Sequence, residues 1–152
     1  MTTGNRRRRG LWVCERGAEL IEFAIVLPTL LLVLGGMMDL GFLFQRYEVV
    51  TNAAREGARV AALPNYQDAD VTARVSAYMT AAGLTCSGCA TVGAPINVTV
   101  GSQCVRVRQV TVTYPTQLII IGPVFSLMGG GSTKTLTATS AMRMEVAAVG
   151  CS

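Results

Sequence analysis

Gly17-Ala18-Glu19-Leu20-Ile21-Glu22-Phe23 opens the stretch on which the fold turns. From Phe23 to Met38 it continues as F-A-I-V-L-P-T-L-L-L-V-L-G-G-M-M, sixteen residues without a charge. At 1.5 Å per helical residue this run is about 24 Å long, near the ~30 Å hydrocarbon core of a bilayer. Asp39 interrupts it, and Leu40-Gly41-Phe42-Leu43-Phe44 restores the apolar character, so the membrane part is expected over residues 23–44. Glu22 and Asp39 would then stand about 25 Å apart along the axis, each near one interface.

Charge orients this segment. Residues 1–17 contain Arg6, Arg7, Arg8, Arg9 and Arg16 against Glu15, whereas the remainder balances eight basic with eight acidic residues. The excess therefore sits on the short tail before the helix, which is expected to stay in the cytoplasm while everything after Phe44 is exported. A neutral body gives no reason to expect a nucleic-acid partner. The chain has no histidine, which removes the commonest general base and the commonest metal ligand.

Three other readings of the N-terminus compete. A cleaved secretory signal would end near Val33-Leu34-Gly35, but Glu19 and Glu22 directly ahead of the apolar run oppose it. Leu11-Trp12-Val13-Cys14 has the look of a lipobox, yet it precedes the apolar segment instead of following it. A plain unprocessed anchor is the third.

A basic tail that ends at Gly17, an apolar helix that starts at once, a glutamate five residues on (Glu22) and an aromatic at the sixth (Phe23) resemble a type IV prepilin processing site, in particular the Glu-Tyr form of the Flp/Tad branch. The resemblance implies cleavage between Gly17 and Ala18 by a prepilin peptidase. A carboxylate entering the apolar zone costs on the order of 2–3 kcal/mol and needs a partner. Cleavage would supply one, since Glu22 could pair with the new Ala18 amine of a neighbouring subunit. The blocks E-F-A-I-V-L-P (22–28), M-M-D-L-G (37–41) and N-A-A-R-E-G-A-R-V-A-A-L (52–63) extend the likeness, and together they resemble the TadE-like family. That resemblance implies a minor pilin or pseudopilin of a Tad/Flp pilus, acting in pilus assembly, adhesion or surface attachment. It implies a bacterial inner-membrane location, with partners among other pilin-like subunits, the assembly platform and the lipid bilayer. It also implies no catalytic activity and no cofactor.

In physical terms the last block places Ala53, Ala54, Gly57, Ala58, Ala61 and Ala62 at three- and four-residue spacings, a small-residue face that lets another element approach closely. It fits docking of the helix on its own domain as well as an intersubunit contact. Glu56 and Arg59 are spaced to pair. Pro28 is expected to kink or loosen the helix, with Gly35-Gly36 a second weak point. Pro28 and Asp39 thus join Ala54, Gly57, Ala58 and Ala61 as candidate packing and assembly positions.

Leu63-Pro64-Asn65 should end the long helix. Residues 67–83 predict a second, with Val71, Val75, Tyr78, Met79 and Ala82 as its inner stripe, Asp68 and Asp70 in its first turn, and Gly83 closing it. Ile96–Val100 and Val105–Tyr114 alternate around Gly101-Ser102, a hairpin whose arginines and threonines are expected to face water. Leu118–Met128 is too short to span a bilayer and is expected as a buried strand or a loop against the helix. Gly129-Gly130-Gly131-Ser132 should turn, and Lys134–Val146 should form a last strand. The expected fold class is α+β: a long N-terminal transmembrane helix, a second helix and three or four antiparallel strands. The expected organisation is a leader (1–17), the N-terminal helix (18–63) and an exported domain (64–152).

Cys86, Cys89, Cys104 and Cys151 all fall on the exported side, where disulfides are the default. Three pairings are open, with a bridge from Cys151 to the loop or hairpin favoured. Cys86-Ser87-Gly88-Cys89 is also a C-x-x-C, so a membrane-tethered redox or zinc protein is an alternative. Zinc would need all four cysteines, and redox pairs usually open a helix instead of following one, so no metal is expected. A further alternative is an uncleaved adaptor of an envelope apparatus.

Overall fold

The computed structural model describes residues 15–101 and 103–145. Its first element, α1, is one helix of 47 residues, Glu15–Ala61, that passes through Pro28 and Gly35-Gly36 without a break. Its two halves have different surroundings. Leu20, Ile21, Phe23, Ile25, Val26 and the leucines from 30 to 34 are all exposed. From Val50 onward one stripe of the same helix is buried, with Val50, Ala53 and Ala58 fully so. The helix ends where expected: the chain leaves it after Ala61, and Asn65 takes a positive φ of 68° beside Pro64.

The second helix, α2 (Asp68–Ala81), opens with the Asp70 carboxylate accepting the Gln67 N–H at 2.9 Å, as an acid in the first turn should. At its other end Leu84 N–H donates to Met79 O and Gly83 N–H to Thr80 O, both at 2.9 Å, with Gly83 at φ +78°. This is the paired-bond helix stop that a left-handed glycine makes possible. Val71, Val75 and Met79 are fully buried, but Tyr78 is 37% exposed and Ala82 is exposed, so the expected inner stripe narrows to three residues. Three suffice because α2 meets its neighbours along a single seam.

Four antiparallel strands follow: β1 (Ala90–Val92), β2 (Ile96–Val100), β3 (Gln103–Gln117) and β4 (Thr133–Arg143). β3 is central. β1 and β2 lie end to end along one edge of it, opposite residues 110–112 and 103–107, while β4 pairs along the other from Val107↔Arg143 to Gln117↔Thr133. The expected β2–β3 hairpin turns at Gly101, whose φ is +63°. α1, α2 and the inner sheet face share one core, with Val110, Val112, Leu136 and Ala138 meeting the helix stripe.

Two expectations change. The arginines of β3 do not share the wet face with the threonines. Arg106 and Arg108 have the same parity as Val110 and Val112, and Arg108 pairs with Asp68 of α2. The apolar alternation slips phase at Gln109, whereas the pairing with β4 runs on without a slip, so Val105 and Val107 go to the opposite face. The second change is at 118–128, where the expected loop against the helix holds and the alternative of a buried strand does not: the segment is mostly exposed and contains a short helix, α3 (Gly122–Leu127), entered through Pro123.

Candidate functional site

The apolar half and the docked half of α1 meet at Asp39. In a run with no other charge between Phe23 and Phe44, this carboxylate is only 3% exposed. Its partners come from the β3–β4 connection. Ile119 N–H donates to Oδ1 at 3.1 Å, and Ile120 and Ile121 N–H donate to Oδ2 at 2.9 and 2.8 Å. These amides lie between the end of β3 and the first turn of α3, where no ladder or helix partner is available to them. A carboxylate is the one side chain that can take three convergent donors at once. The acid at an apolar boundary and the three orphan amides therefore satisfy each other.

Around this clamp the connection lies close to the helix. A side chain at Gly35 would collide with the Ile120 side chain, and one at Gly36 would come within 3.7 Å of Ile121. Seven residues along α1, Arg46 donates from its guanidinium to Thr116 Oγ1 of β3. Thr116 is itself 2% exposed.

The small-residue face of α1 is occupied from within the chain. Ala53, Ala54, Ala58 and Ala61 are at most 1% exposed. A Cβ at Gly57 would stand 2.6 Å from Val75 Cγ2 and 3.1 Å from Val110 Cγ1, so at this residue α1 comes close to both α2 and the sheet. On the outer side of the same turns, Glu56 accepts from Arg59 (3.1 and 3.0 Å) and from Arg74 of α2 (3.0 and 2.8 Å). The hydrogen bonds from Arg59, then those from Arg74, hold the Glu56 carboxyl down at about 2, outweighing its partial burial. The Arg59 guanidinium is correspondingly raised.

The residues expected for processing lie far from the clamp. Gly17 falls inside α1, two residues past its start, and Glu22 and Phe23 are exposed on the helix with no side-chain partner drawn from the domain. Ala18 belongs to the helix as well. The basic run Arg6–Arg9 lies outside the described residues. Cys86 and Cys89 are joined to each other, with Cα atoms 5.7 Å apart, so the C-x-x-C closes on itself. Cys104 is also disulfide-bonded. The favoured Cys151 bridge falls outside the described residues. Among the described residues no three of histidine, cysteine, aspartate or glutamate cluster as a metal site would.

Sequence reasoning named Asp39 but missed its partner. The available signal was twofold: an isolated acid in an apolar run demands donors, and residues 118–128 are an apolar stretch with no charge of its own.

Residues 17–59 match a family model described as TadE-like protein, and they span α1 from Gly17 to Arg59. The match supports the resemblance read from the N-terminal blocks and relates the chain to Tad pilus systems. No curated protein and no solved structure matches the chain.

Proposed function

We propose, on the premise that residues 17–59 are TadE-like, that the protein is a minor pilin or pseudopilin-like component of a Tad/Flp-type pilus or related secretion apparatus. It crosses the inner membrane once through the N-terminal half of α1, with the arginine tail in the cytoplasm and the α+β domain outside. A prepilin peptidase cuts after Gly17, and Glu22 then pairs with the Ala18 amine of an adjacent pilin-like subunit as the helix enters the assembly. Its part lies in assembly, adhesion or surface attachment. It does no catalysis and needs no cofactor.

The observation that carries this reading is the position of Gly17-Ala18-Glu19-Leu20-Ile21-Glu22-Phe23 at the mouth of a helix whose next turns have no protein covering. A helix long and apolar enough to cross a membrane, with its apolar window almost wholly unburied, has lipid or neighbouring helices as its natural surroundings. Small-residue packing that is already satisfied inside the chain leaves the exposed leucine-rich half as the surface for assembly.

Intact-mass measurement with N-terminal sequencing of membrane-extracted protein tests it. A chain beginning at Ala18 is expected, and a Gly17 variant should retain its leader. A mature chain that keeps residues 1–17 would instead leave an uncleaved adaptor, and a start near Gly36 would make the domain a secreted one.

A further inference from the structure

The β3–β4 connection carries an apolar surface that the fold does not use. Between Arg108 and Lys134 there is no charged residue. Ile119, Phe125, Leu127 and Met128 are exposed, Leu127 and Met128 by 89% and 82%. A soluble domain would normally turn such a loop inward or make it polar.

The sheet's orientation gives this surface a location. At one end of the sheet Glu145 N–H donates to Ala62 O, beyond the C-terminal end of α1. At the other end the β3–β4 connection reaches Asp39 and abuts Gly35 and Gly36. Gly35 lies four residues, about 6 Å, inside the apolar run as measured from Asp39. Ile120 therefore already sits beside helix turns that belong to the membrane-spanning part. Arg46 stands about 10 Å on the other side of Asp39, at the level where headgroups would begin.

We infer that α3 and its flanking residues are a second, interfacial membrane contact: Phe125, Leu127 and Met128 enter the headgroup–acyl boundary of the outer leaflet of the inner membrane beside α1. The inference rests on the single-pass reading above. Lipid is the occupant because the patch is continuous with the uncovered apolar half of α1 and lies at its outer rim. A short element with no charge and exposed phenylalanine, leucine and methionine has the chemistry of a shallow insert. Asp39 serves this contact by pinning amides 119–121 to the helix, which fixes the depth of the loop. The domain is thereby seated on the bilayer at two points instead of swinging from one helix.

Tryptophan fluorescence in vesicles tests the contact on the full chain. Trp12 is the only tryptophan and is replaced by phenylalanine. Single tryptophans are then introduced as Leu127→Trp in the loop, Leu31→Trp in the span and Tyr78→Trp on α2. The proteins are reconstituted in phosphatidylcholine/phosphatidylglycerol vesicles with bromine on the acyl chains, either near the carbonyl or deeper. Leu127→Trp should lose most of its fluorescence to the shallow bromines, Leu31→Trp should be quenched by the deep ones, and Tyr78→Trp should be unaffected. Quenching of Leu31→Trp with none at Leu127→Trp overturns the loop contact and leaves the span intact. A blue-shifted but unquenched Leu127→Trp whose shift fades as lipid dilutes protein also overturns it, because a second copy then covers the patch. If Leu31→Trp is itself unquenched, the helix does not enter the bilayer and both readings fall.

Discussion

Replacing Asp39 by asparagine keeps the size of the side chain and removes its charge. The amide has one acceptor oxygen, which can still serve Ile120 and Ile121, but it turns an NH₂ toward the Ile119 N–H. Two hydrogen bonds fall from the charged class, about 1.5–3 kcal/mol each, to the neutral class of about 0.5–1.5. The third becomes a donor facing a donor in a site that is almost closed to water, worth roughly 1–3 kcal/mol. Against this, the variant no longer holds an ion at an apolar boundary, which returns on the order of 1–2 kcal/mol. The net expectation is a loss of about 2–3 kcal/mol, felt locally because the clamp joins one connection to one helix turn. At ~1.4 kcal/mol per tenfold, amide protection over residues 118–128 should fall about 30- to 150-fold. Hydrogen exchange read by mass spectrometry on the detergent-solubilised full chain measures this, with α2 as the internal reference whose protection should hold. Unchanged exchange at 118–128 in Asp39→Asn would refute the reasoning, since it would mean the three bonds do not fix the loop.

Four further outcomes follow from the packing and the charges. Gly57→Ala gains about 1 kcal/mol of helix propensity but drives a methyl into Val75 and Val110, at an overpacking cost of about 1–3 kcal/mol, so thermal unfolding should show a net loss of up to about 2. Adding Val75→Ala to Gly57→Ala should cost less than the two changes do separately, because the new methyl then occupies space the smaller residue vacates; simple additivity would count against the close approach. Glu56 has a folded pKa of about 2 against an ordinary 4.5, so its contribution is complete above about pH 4.5 and is lost as pH falls toward 2; Glu56→Gln should flatten that part of an acid unfolding curve. Changing Cys86 and Cys89 together to serine opens only a four-residue loop, so unfolding should shift by no more than about 2 kcal/mol and the β1 region should loosen first.

Periodicity made most of this fold readable. The long helix, α2, the β2–β3 hairpin and β4 all announce themselves through spacings of three to four or of two, ended by Pro64, Gly83 or Gly101. What stayed hidden had no local signal. β1 is three residues long and owes its existence to β3. Residues 118–128 are apolar without a period, so nothing in them distinguishes strand, short helix and loop. The arginines of β3 were misplaced because residue-by-residue alternation assumed one phase, while the sequence changes phase at Gln109 and the ladder does not. Asp39 was legible as an anomaly and not as a clamp: its donors are backbone amides eighty residues away, which carry no sequence mark. The pairing of Cys86 with Cys89 was one of three open possibilities, and only the turn at Gly88, with its φ of +70°, draws the two together.

The clamp and the Gly57 contact together determine how α1 can act on the domain. They are eighteen residues apart, about 27 Å along the helix, and they grip it in different ways: Asp39 by three hydrogen bonds, Gly57 by a fit that only a missing side chain allows. A slip of one turn, 5.4 Å, would pull Asp39 away from all three amides and bring a larger residue against Val75 and Val110. A quarter-turn rotation in one sense would carry Arg59, about 100° round the helix, into the place of Ala58. The segment from Asp39 to Ala61 thus behaves as part of the domain, and any axial pull on the anchor is delivered to the sheet without slack. Local extension, if assembly demands it, is left to the turns before Gly35, where Pro28 has already removed one backbone donor and no part of the domain braces the helix. The boundary between the two regimes lies where a lone carboxylate in an apolar run meets the loop that needs it.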